Sequence, residues 1–513
     1  MKLALASILV YTAAFPPFGA AAAAFAAFLP LAFLFLDPAR PVSWRGALLA
    51  ALLFGELTPL AVTGYWIYRA AGDFFDQPPH FGLGFAVFLT ALHGALFMAP
   101  TLFLARFLVH LGPLARTLAF PTLWVAGELA RSRLLDGNPW ELLGSAFDAH
   151  PMLMRVSRLG GVWLLSWAAV AVSAALATTL LGRHSSARAR LSGGSVLGLA
   201  VLVLLGGSLE RTPRTPAPDR PLPSLRIGLV QPNIGRHELW DPSRRADHLR
   251  RTLTLSRSPT LAGVDLLVWP ENAVPFLLDA DRAARRRIQL LANETGAAVM
   301  LGAPRSESTR DGGARFFNSV YLFRPGGTGY ETYDKRKLLP YVEVIPEWLV
   351  PYRRSSEPVH YGPGRRVTIF VVRGWKIAPL ICFESIYPRF AREARRLGAD
   401  LLVNVSNDSW FDRGAAARQH YGMTVLRAVE NAVPLVRVAN TGITAVIGPD
   451  GAPLARLPRH REAVQRVELA AAPRGRTLYT RWGDWFAWLC VLAAVPSVSL
   501  GALRAHRGRA PGG

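Results

Sequence analysis

The sequence predicts a multi-span α-helical membrane domain joined to one large water-soluble α/β domain. Three observations predict it. The 513-residue chain is 51% hydrophobic and only 18% charged. Its apolar residues concentrate in residues 1–208 and again in 485–503, with ordinary globular composition between them. Within that middle stretch, short apolar runs alternate with helical patterns, the signature of an α/β layer.

A spanning helix needs about 20 mostly apolar residues. The chain offers eight such stretches, near 3–15, 18–36, 46–68, 83–110, 117–133, 162–182, 193–208 and 485–503, seven of them within 1–208. Pro16-Pro17 separates the first two. Lys2 and the apolar run after it also fit a cleavable signal peptide, but a retained helix is the better reading because further spans follow at once.

Loop charge gives an orientation. With the N-terminus in the cytoplasm, the cytoplasmic side holds Arg40, Arg45, Arg106, Arg116, Arg183, Arg188, Arg190, Arg504, Arg507 and Arg509. The loop 71–82 falls outside with Asp73 and Asp76 and no Lys or Arg. This is the positive-inside asymmetry. It places the insert, 209–484, on the outer side, which in a bacterium is the periplasmic face of the inner membrane.

The net charge of +23 is mostly arginine. No zinc-ligand spacing or RNA-binding signature accompanies it, so a basic protein facing anionic lipid fits better than a nucleic-acid binder. The two cysteines, Cys382 and Cys490, cannot form a multi-bridge framework. Cys490 lies in the apolar run Trp-Leu-Cys-Val-Leu and reads as packing, whereas Cys382 lies in a polar setting. Glu56, Glu128, Arg131 and Trp140 lie close to the spans; Glu128 and Arg131, at i and i+3, read first as a structural pair.

The Pro-rich stretch 209–224 reads as a linker into a catalytic domain over 225–475. Strands are expected at Leu225–Val230, Leu266–Trp269, Ala298–Leu301, Ser319–Phe323, Val367–Val372, Ile377–Cys382, Leu401–Val405 and Leu435–Val438. Helices are expected at 281–295, 388–397 and 416–432, and a hairpin at 450–470 opening on Asp450-Gly451.

Polar residues follow several of these strands. Glu271 lies just past Leu266-Leu-Val-Trp-Pro, Cys382 ends Ile377-Ala-Pro-Leu-Ile, and Lys335 falls in a loop within Tyr333-Asp-Lys-Arg-Lys. Strand ends on one sheet edge converge, so distant residues meet there. A thiol, a carboxylate and an ammonium suffice for acyl transfer: one attacks, one takes the proton, one stabilises the oxyanion. On spacing alone a cysteine ending a buried strand is more often packing, and a glutamate after a strand is usually solvated.

The local wording adds to this. Val268-Trp-Pro-Glu-Asn, Tyr333-Asp-Lys and Cys382-Phe-Glu resemble the three catalytic motifs of the nitrilase, or carbon–nitrogen hydrolase, superfamily. Joined to membrane spans, they resemble its apolipoprotein N-acyltransferase branch. Gln231-Pro-Asn-Ile with Trp240, Phe317-Asn-Ser, Ser406-Asn-Asp-Ser-Trp-Phe, Gln419-His, Asn440-Thr-Gly-Ile-Thr and Gly137-Asn-Pro-Trp match as well. The resemblance implies an α-β-β-α sandwich for the insert. It implies Glu271 as general base, Lys335 as oxyanion-stabilising lysine and Cys382 as nucleophile. It further implies Glu343 and Glu384 as acidic supports that orient Lys335 or the base, and Trp240 and Trp410 as aromatics near the substrate entrance.

Departures are local. Phe383 stands where that branch usually has Tyr, which removes a hydroxyl but leaves a backbone N–H for the oxyanion. Pro340-Tyr-Val-Glu replaces Pro-Phe-Gly-Glu, and Val342 does not readily take positive φ as Gly does. The Gly-Pro before Gln-His becomes Gly414-Ala-Ala-Ala-Arg.

The resemblance implies a two-step reaction. An acyl chain passes from a membrane phospholipid to Cys382 as a thioester. It then passes to the amine of an S-diacylglyceryl cysteine at the N-terminus of an apolipoprotein. The expected enzyme is a monomer that needs no cofactor and no metal and binds no nucleic acid. The rival reading is a membrane-tethered amidase acting on a small amide.

Overall fold

The computed structural model describes residues 1–135, 137–183, 186–210, 222–309, 312–345, 360–411, 414–471 and 475–507, with the side chains of Asp73 and Trp410 left outside. Most of the linker, residues 211–221, and Arg509 also lie outside the described residues. The chain divides into two compact units. One comprises residues 1–71, 79–211 and 481–513; the other comprises 72–78 and 212–480.

The first unit is helical. Its helices are α1 (Lys2–Ala14), α2 (Ala21–Leu36), α3 (Trp44–Gly72), α4 (Pro79–His110), α5 (Pro113–Arg133), α6 (Val162–Gly182), α7 (Ala187–Ser208) and a C-terminal helix, Trp485–Arg507. Five of these, α3, α4, α6, α7 and the C-terminal helix, are long and apolar enough to cross a membrane. The break after Ala14 leaves α1 and α2 short. Helix α5 has the length, at 21 residues, but carries Arg116, Glu128, Arg131 and Arg133. Cys490 is buried in the last helix, as its apolar surroundings suggest.

Glu128 and Arg131 hold the chain that follows α5. Glu128 Oε1 accepts the Leu143 N–H at 2.8 Å, and Arg131 donates to the Trp140 carbonyl at 2.7 Å. Expected as a pair on one helix face, they instead satisfy backbone groups of a buried segment, which would otherwise be costly orphans. Trp140 is buried with its ring 5.2 Å from that of Trp66.

The second unit is a two-sheet sandwich. One six-stranded sheet runs β12-β1-β2-β3-β4-β5 and the other β11-β10-β9-β8-β7-β6. The strands are β1 (Leu225–Gln231), β2 (Leu266–Val268), β3 (Ala298–Ser308), β4 (Ala314–Phe323), β5 (Tyr330–Asp334), β6 (Phe370–Val372), β7 (Trp375–Ile381), β8 (Leu401–Ser406), β9 (Leu435–Ala439), β10 (Ala445–Ile447), β11 (Pro453–Arg456) and β12 (Ala463–Leu469). At the centre of each sheet the strands are parallel: β1-β2-β3 and β7-β8-β9. Leu266-Leu-Val and Leu401-Leu-Val are buried on both faces, which is why they read as continuous apolar runs.

Between the sheets, Leu229, Val268 and Met300 pack with Ile381, Val403 and Val438 in one core. A second core lies on the outer face of the first sheet, where α8 (Arg245–Ser256) and α9 (Arg282–Thr295) contribute Leu249, Leu253, Ile288 and Leu291. Helix α9 begins where the Asp281 carboxylate accepts the Ala284 N–H and ends at Gly296 in the left-handed region. Two more helices, α10 (Pro388–Arg396) and α11 (Ala416–Asn431), follow β7 and β8. The layering is α-β-β-α.

Two expectations need correction. The hairpin around Asp450-Gly451 joins β10 to β11, whereas β12 pairs with β1 in the opposite sheet. Residues 450–470 therefore cross between sheets and do not fold back on themselves. Strand β5 has the pattern Tyr-Glu-Thr-Tyr-Asp, too polar to read as an apolar run, and among the described residues it is the edge strand, paired with β4. Lys335 is the first residue past this strand, in the loop expected for it, while Tyr333 and Asp334 belong to the strand.

Candidate active site

Glu271, Lys335 and Cys382 each come directly or nearly directly off a strand, and the sheets bring all three together in a buried cluster. Glu271 follows β2 after Trp269-Pro270, Lys335 follows β5, and Cys382 follows β7. Close approach of two backbones makes the Glu271 position possible. At Gly302, on β3, a Cβ would lie 2.6 Å from the Glu271 Cα and 2.9 Å from the Pro270 carbonyl oxygen. Any side chain there would displace the carboxylate.

The lysine is shared unequally. Lys335 Nζ lies 2.8 Å from Glu343 Oε2 and 3.4 Å from Glu271 Oε1. Asn318 bridges the two acids, with Nδ2 donating to Glu271 Oε1 at 2.8 Å and to Glu343 Oε1 at 2.7 Å. The Asn407 N–H donates to Glu271 Oε2 at 2.9 Å, and the Leu339 N–H to Glu343 Oε2 at 2.7 Å. Lys335, Glu343 and Glu271 are all at most 5% exposed.

Two carboxylates thus share one ammonium out of water. Burial, with Glu343 adding to it, holds Glu271 above the usual carboxylate range despite Lys335. Burial would depress Lys335, but Glu343 and Glu271 outweigh it and the lysine stays charged. Burial pushes the Cys382 thiol up, Glu271 adds to the rise, and Lys335 opposes it. Glu271 and the thiol lie close enough to act on each other's ionisation. The resting site therefore holds a thiol beside an acceptor carboxylate, the arrangement for proton transfer during attack and not for a standing thiolate.

Cys382 has φ +47, the left-handed region that costs a side-chain-bearing residue about 1–2 kcal/mol. Its carbonyl oxygen is gripped from three sides: by Ser385 Oγ at 3.0 Å, His420 Nε2 at 3.1 Å and Asn404 Nδ2 at 3.4 Å. Strain of this kind persists only where the surroundings over-determine it.

Glu384 holds backbone on two sides of the site. Fully buried, it accepts the Ile381 N–H at 2.8 Å, the Arg336 N–H at 2.7 Å, the Lys337 N–H at 3.2 Å and the Tyr333 hydroxyl at 2.8 Å. It ties the turn that carries Cys382 to the backbone just after Lys335, and Tyr333 is one of its partners. Phe383 is buried, its ring edge-on to Tyr387 at 5.3 Å. Trp240 is half-buried at the end of the short helix Arg236–Leu239. The Trp410 side chain lies outside the described residues. The positive φ expected to trouble Val342 falls one residue earlier, on Tyr341 at +66. Val342 itself stays out of the left-handed region.

A polar network behind the nucleophile was not singled out from the sequence. Asp408 Oδ1 and Oδ2 accept from Arg437 Nη2 at 3.0 and 2.7 Å, and Ser406 Oγ donates to Asp408 Oδ1 at 2.7 Å. His420 Nδ1 lies 3.2 Å from Arg437 Nη2 and 3.3 Å from Asp408 Oδ1. Burial would raise Asp408, but Arg437 and His420 outweigh it and hold the carboxyl well below its usual range. Cys382, Asp408 and His420 present ligand-type atoms within 4.8 Å of one another. The Arg437 guanidinium already occupies both Asp408 oxygens and sets a cation among them, so the group reads as a hydrogen-bond network and not as a metal centre. Asp408 and His420 lie in Ser-Asn-Asp-Ser-Trp-Phe and Gln-His, so the signal was present, but nothing in the wording ties either residue to Cys382.

Residues 226–477 match the carbon-nitrogen hydrolase family, and residues 7–175 match the apolipoprotein N-acyltransferase N-terminal domain. The apolipoprotein N-acyltransferase of Geobacter metallireducens is 33% identical over 483 residues, 92% of this chain and 91% of that protein. That of Azotobacter vinelandii is 34% identical over 484 residues, 91% of this chain and 89% of that protein. Among solved structures, a CN-hydrolase superfamily protein from Xanthomonas campestris is 26% identical and covers 49% of this chain and 92% of its own, with a TM-score of 0.37.

Proposed function

This chain belongs to the apolipoprotein N-acyltransferase family, and we propose that Cys382 carries the acyl group while Glu271 moves the protons and Lys335 steadies the oxyanion. The activity is N-acylation of lipoproteins by a membrane enzyme. The donor is a phospholipid and the acceptor a lipoprotein. The observation that carries the assignment of roles is the meeting of Cys382, Glu271 and Lys335 in one buried cluster, with Lys335 Nζ 3.4 Å from Glu271 Oε1 and burial raising the basicity of that carboxylate.

In the first step the Cys382 sulfur attacks an ester carbonyl of the phospholipid while its proton passes to Glu271. Charge develops on the carbonyl oxygen within reach of Lys335 Nζ. The tetrahedral intermediate collapses, the alkoxide of the lysophospholipid leaves, and Glu271 returns the proton to it. In the second step the α-amine of the diacylglyceryl cysteine attacks the thioester, Glu271 takes a proton from nitrogen, and the thiol is released. Exclusion of water keeps the thioester from hydrolysis. Trp240 and Trp410 would line the substrate entrance, and Glu343 and Glu384 would support Lys335 and the nucleophile turn.

The positive-inside asymmetry supports the bacterial inner membrane with residues 225–475 in the periplasm, between spans in 1–208 and at 485–503. On this reading the enzyme is a monomer and no nucleic acid takes part. The amidase alternative is less supported, because the relatives match the membrane part as well as the catalytic part.

The test uses intact membranes holding the wild-type protein or Cys382→Ala, supplied with a phospholipid labelled in its acyl chain. A labelled thioester on the wild type and none on the variant is the expected result. A variant that still N-acylates lipoproteins would sink the assignment.

A further inference from the structure

We propose that His420 is a positioning residue that sets the orientation of the Cys382–Phe383 peptide, and through it the thiol, and that the N–H of this peptide joins Lys335 in meeting the oxyanion. The inference rests on the reading above in taking Cys382 as the nucleophile.

The geometry begins with the carbonyl. A trans peptide is planar, so its C=O and N–H point to opposite sides. Whatever holds the Cys382 carbonyl therefore aims the Phe383 N–H in the opposite direction. His420 Nε2 lies 3.1 Å from that carbonyl, and the residue is fully buried on α11. A carbonyl only accepts, so Nε2 must carry the hydrogen.

The other ring nitrogen, Nδ1, lies 3.2 Å from Arg437 Nη2 and 3.3 Å from Asp408 Oδ1; with the hydrogen on Nε2, Nδ1 accepts from Arg437. Arg437 is itself held by both oxygens of Asp408 and by Asn404 Oδ1. Burial, reinforced by Arg437, keeps the imidazole below its ordinary pKa and hence neutral, with a single N–H to place. The chain Asp408–Arg437–His420 thus leads to one donor aimed at one carbonyl. That carbonyl belongs to the residue with φ +47, whose conformation needs outside support. Ser385 Oγ, 3.2 Å from Nε2 and 2.8 Å from Thr424 Oγ1, completes the grip.

A rotated 382–383 peptide would weaken stabilisation of the oxyanion, which forms when an ester is attacked but not when the thiol is alkylated. The two reactions therefore separate positioning from packing. The experiment uses the full-length protein in phospholipid nanodiscs as wild type, His420→Ala and His420→Gln, the last keeping an N–H donor. Single-turnover acylation of Cys382 by p-nitrophenyl octanoate is followed by mass spectrometry, alkylation by iodoacetamide in parallel, and folding by thermal denaturation.

The expected result is that His420→Ala slows acylation by about tenfold to a hundredfold, the scale of a misplaced reacting group. Alkylation falls less, and His420→Gln recovers most of the acylation rate. If His420→Ala does not fold, His420→Met fills the space without a donor and takes its place. Wild-type acylation in the variant lacking the donor overturns the proposal. So does equal loss of acylation and alkylation in both variants, which assigns His420 to packing alone. The activated ester keeps this test apart from the phospholipid reading. A wild type that accepts the ester but not phospholipid counts against the donor and leaves His420 fully testable.

Discussion

Lys335 is bound more tightly to Glu343 than to Glu271: its Nζ lies 2.8 Å from a Glu343 oxygen and 3.4 Å from the nearer Glu271 oxygen. The supporting acid takes most of the ammonium, which leaves the catalytic acid under-compensated in a dry site. Burial is the main cause that raises the basicity of Glu271; Glu343 adds to it, and Lys335 offsets it only in part.

Glu343→Gln should therefore alter the pH profile in a definite direction. The substitution removes a charge that raises Glu271 and frees Lys335 to pair with it. Glu271 becomes a weaker base that loses its proton at lower pH. Because activity needs Glu271 unprotonated, the acidic limb of kcat/KM should move to lower pH while kcat at neutral pH falls. A limb that stays in place would show that Glu343 does not tune the base.

Asn318→Asp should move the same limb the other way. It puts a third carboxylate beside Glu271 Oε1 and Glu343 Oε1, where an amide N–H now donates to each. Two hydrogen bonds to the ionised forms are lost and repulsion is added, so Glu271 holds its proton to higher pH. The paired pH profiles of Glu343→Gln and Asn318→Asp, opposite in sign, check the charge account more strictly than either alone.

Lys335→Met leaves two buried acids without their cation. Breaking a buried ion pair by removing one partner typically costs about 3–5 kcal/mol. Thermal denaturation in nanodiscs should show a clear loss of stability. Single-turnover acylation should fall by about a hundredfold or more, as expected when an oxyanion-stabilising group is removed. Full stability with full loss of acylation would limit the lysine to catalysis alone.

Gly302→Ala tests the backbone approach that places the base. Its Cβ would lie 2.6 Å from the Glu271 Cα and 2.8 Å from the Asn272 N, so the Pro270–Asn272 segment must shift. A shift on that scale should lower kcat by about a hundredfold. Iodoacetamide labelling of Cys382 should fall too, since Glu271 takes the thiol proton. Wild-type kcat in this variant would show that the segment moves without moving the carboxylate.

Much of this protein was legible in its sequence, because the signals were local. Apolar stretches of spanning length, arginines segregated by loop, and the doubly buried Leu266-Leu-Val and Leu401-Leu-Val runs each record a neighbour or a solvent in consecutive residues. Three short motifs carried the family, and with it Glu271, Lys335 and Cys382. What stayed hidden depended on residues far apart in the chain. Glu384 binds the backbone at 336, 337 and 381, which no spacing announces. The polar β5 and the crossing of β12 to the opposite sheet are tertiary choices, settled by which edge was open. The left-handed φ lies on Tyr341 and not on Val342, a backbone choice that residue identity does not record. The sequence by itself pointed to the three groups proposed to carry the chemistry. Only the tertiary structure decided that two acids share one lysine and that His420 reaches the carbonyl of Cys382, because burial and hydrogen-bond direction arise where strands from two sheets converge.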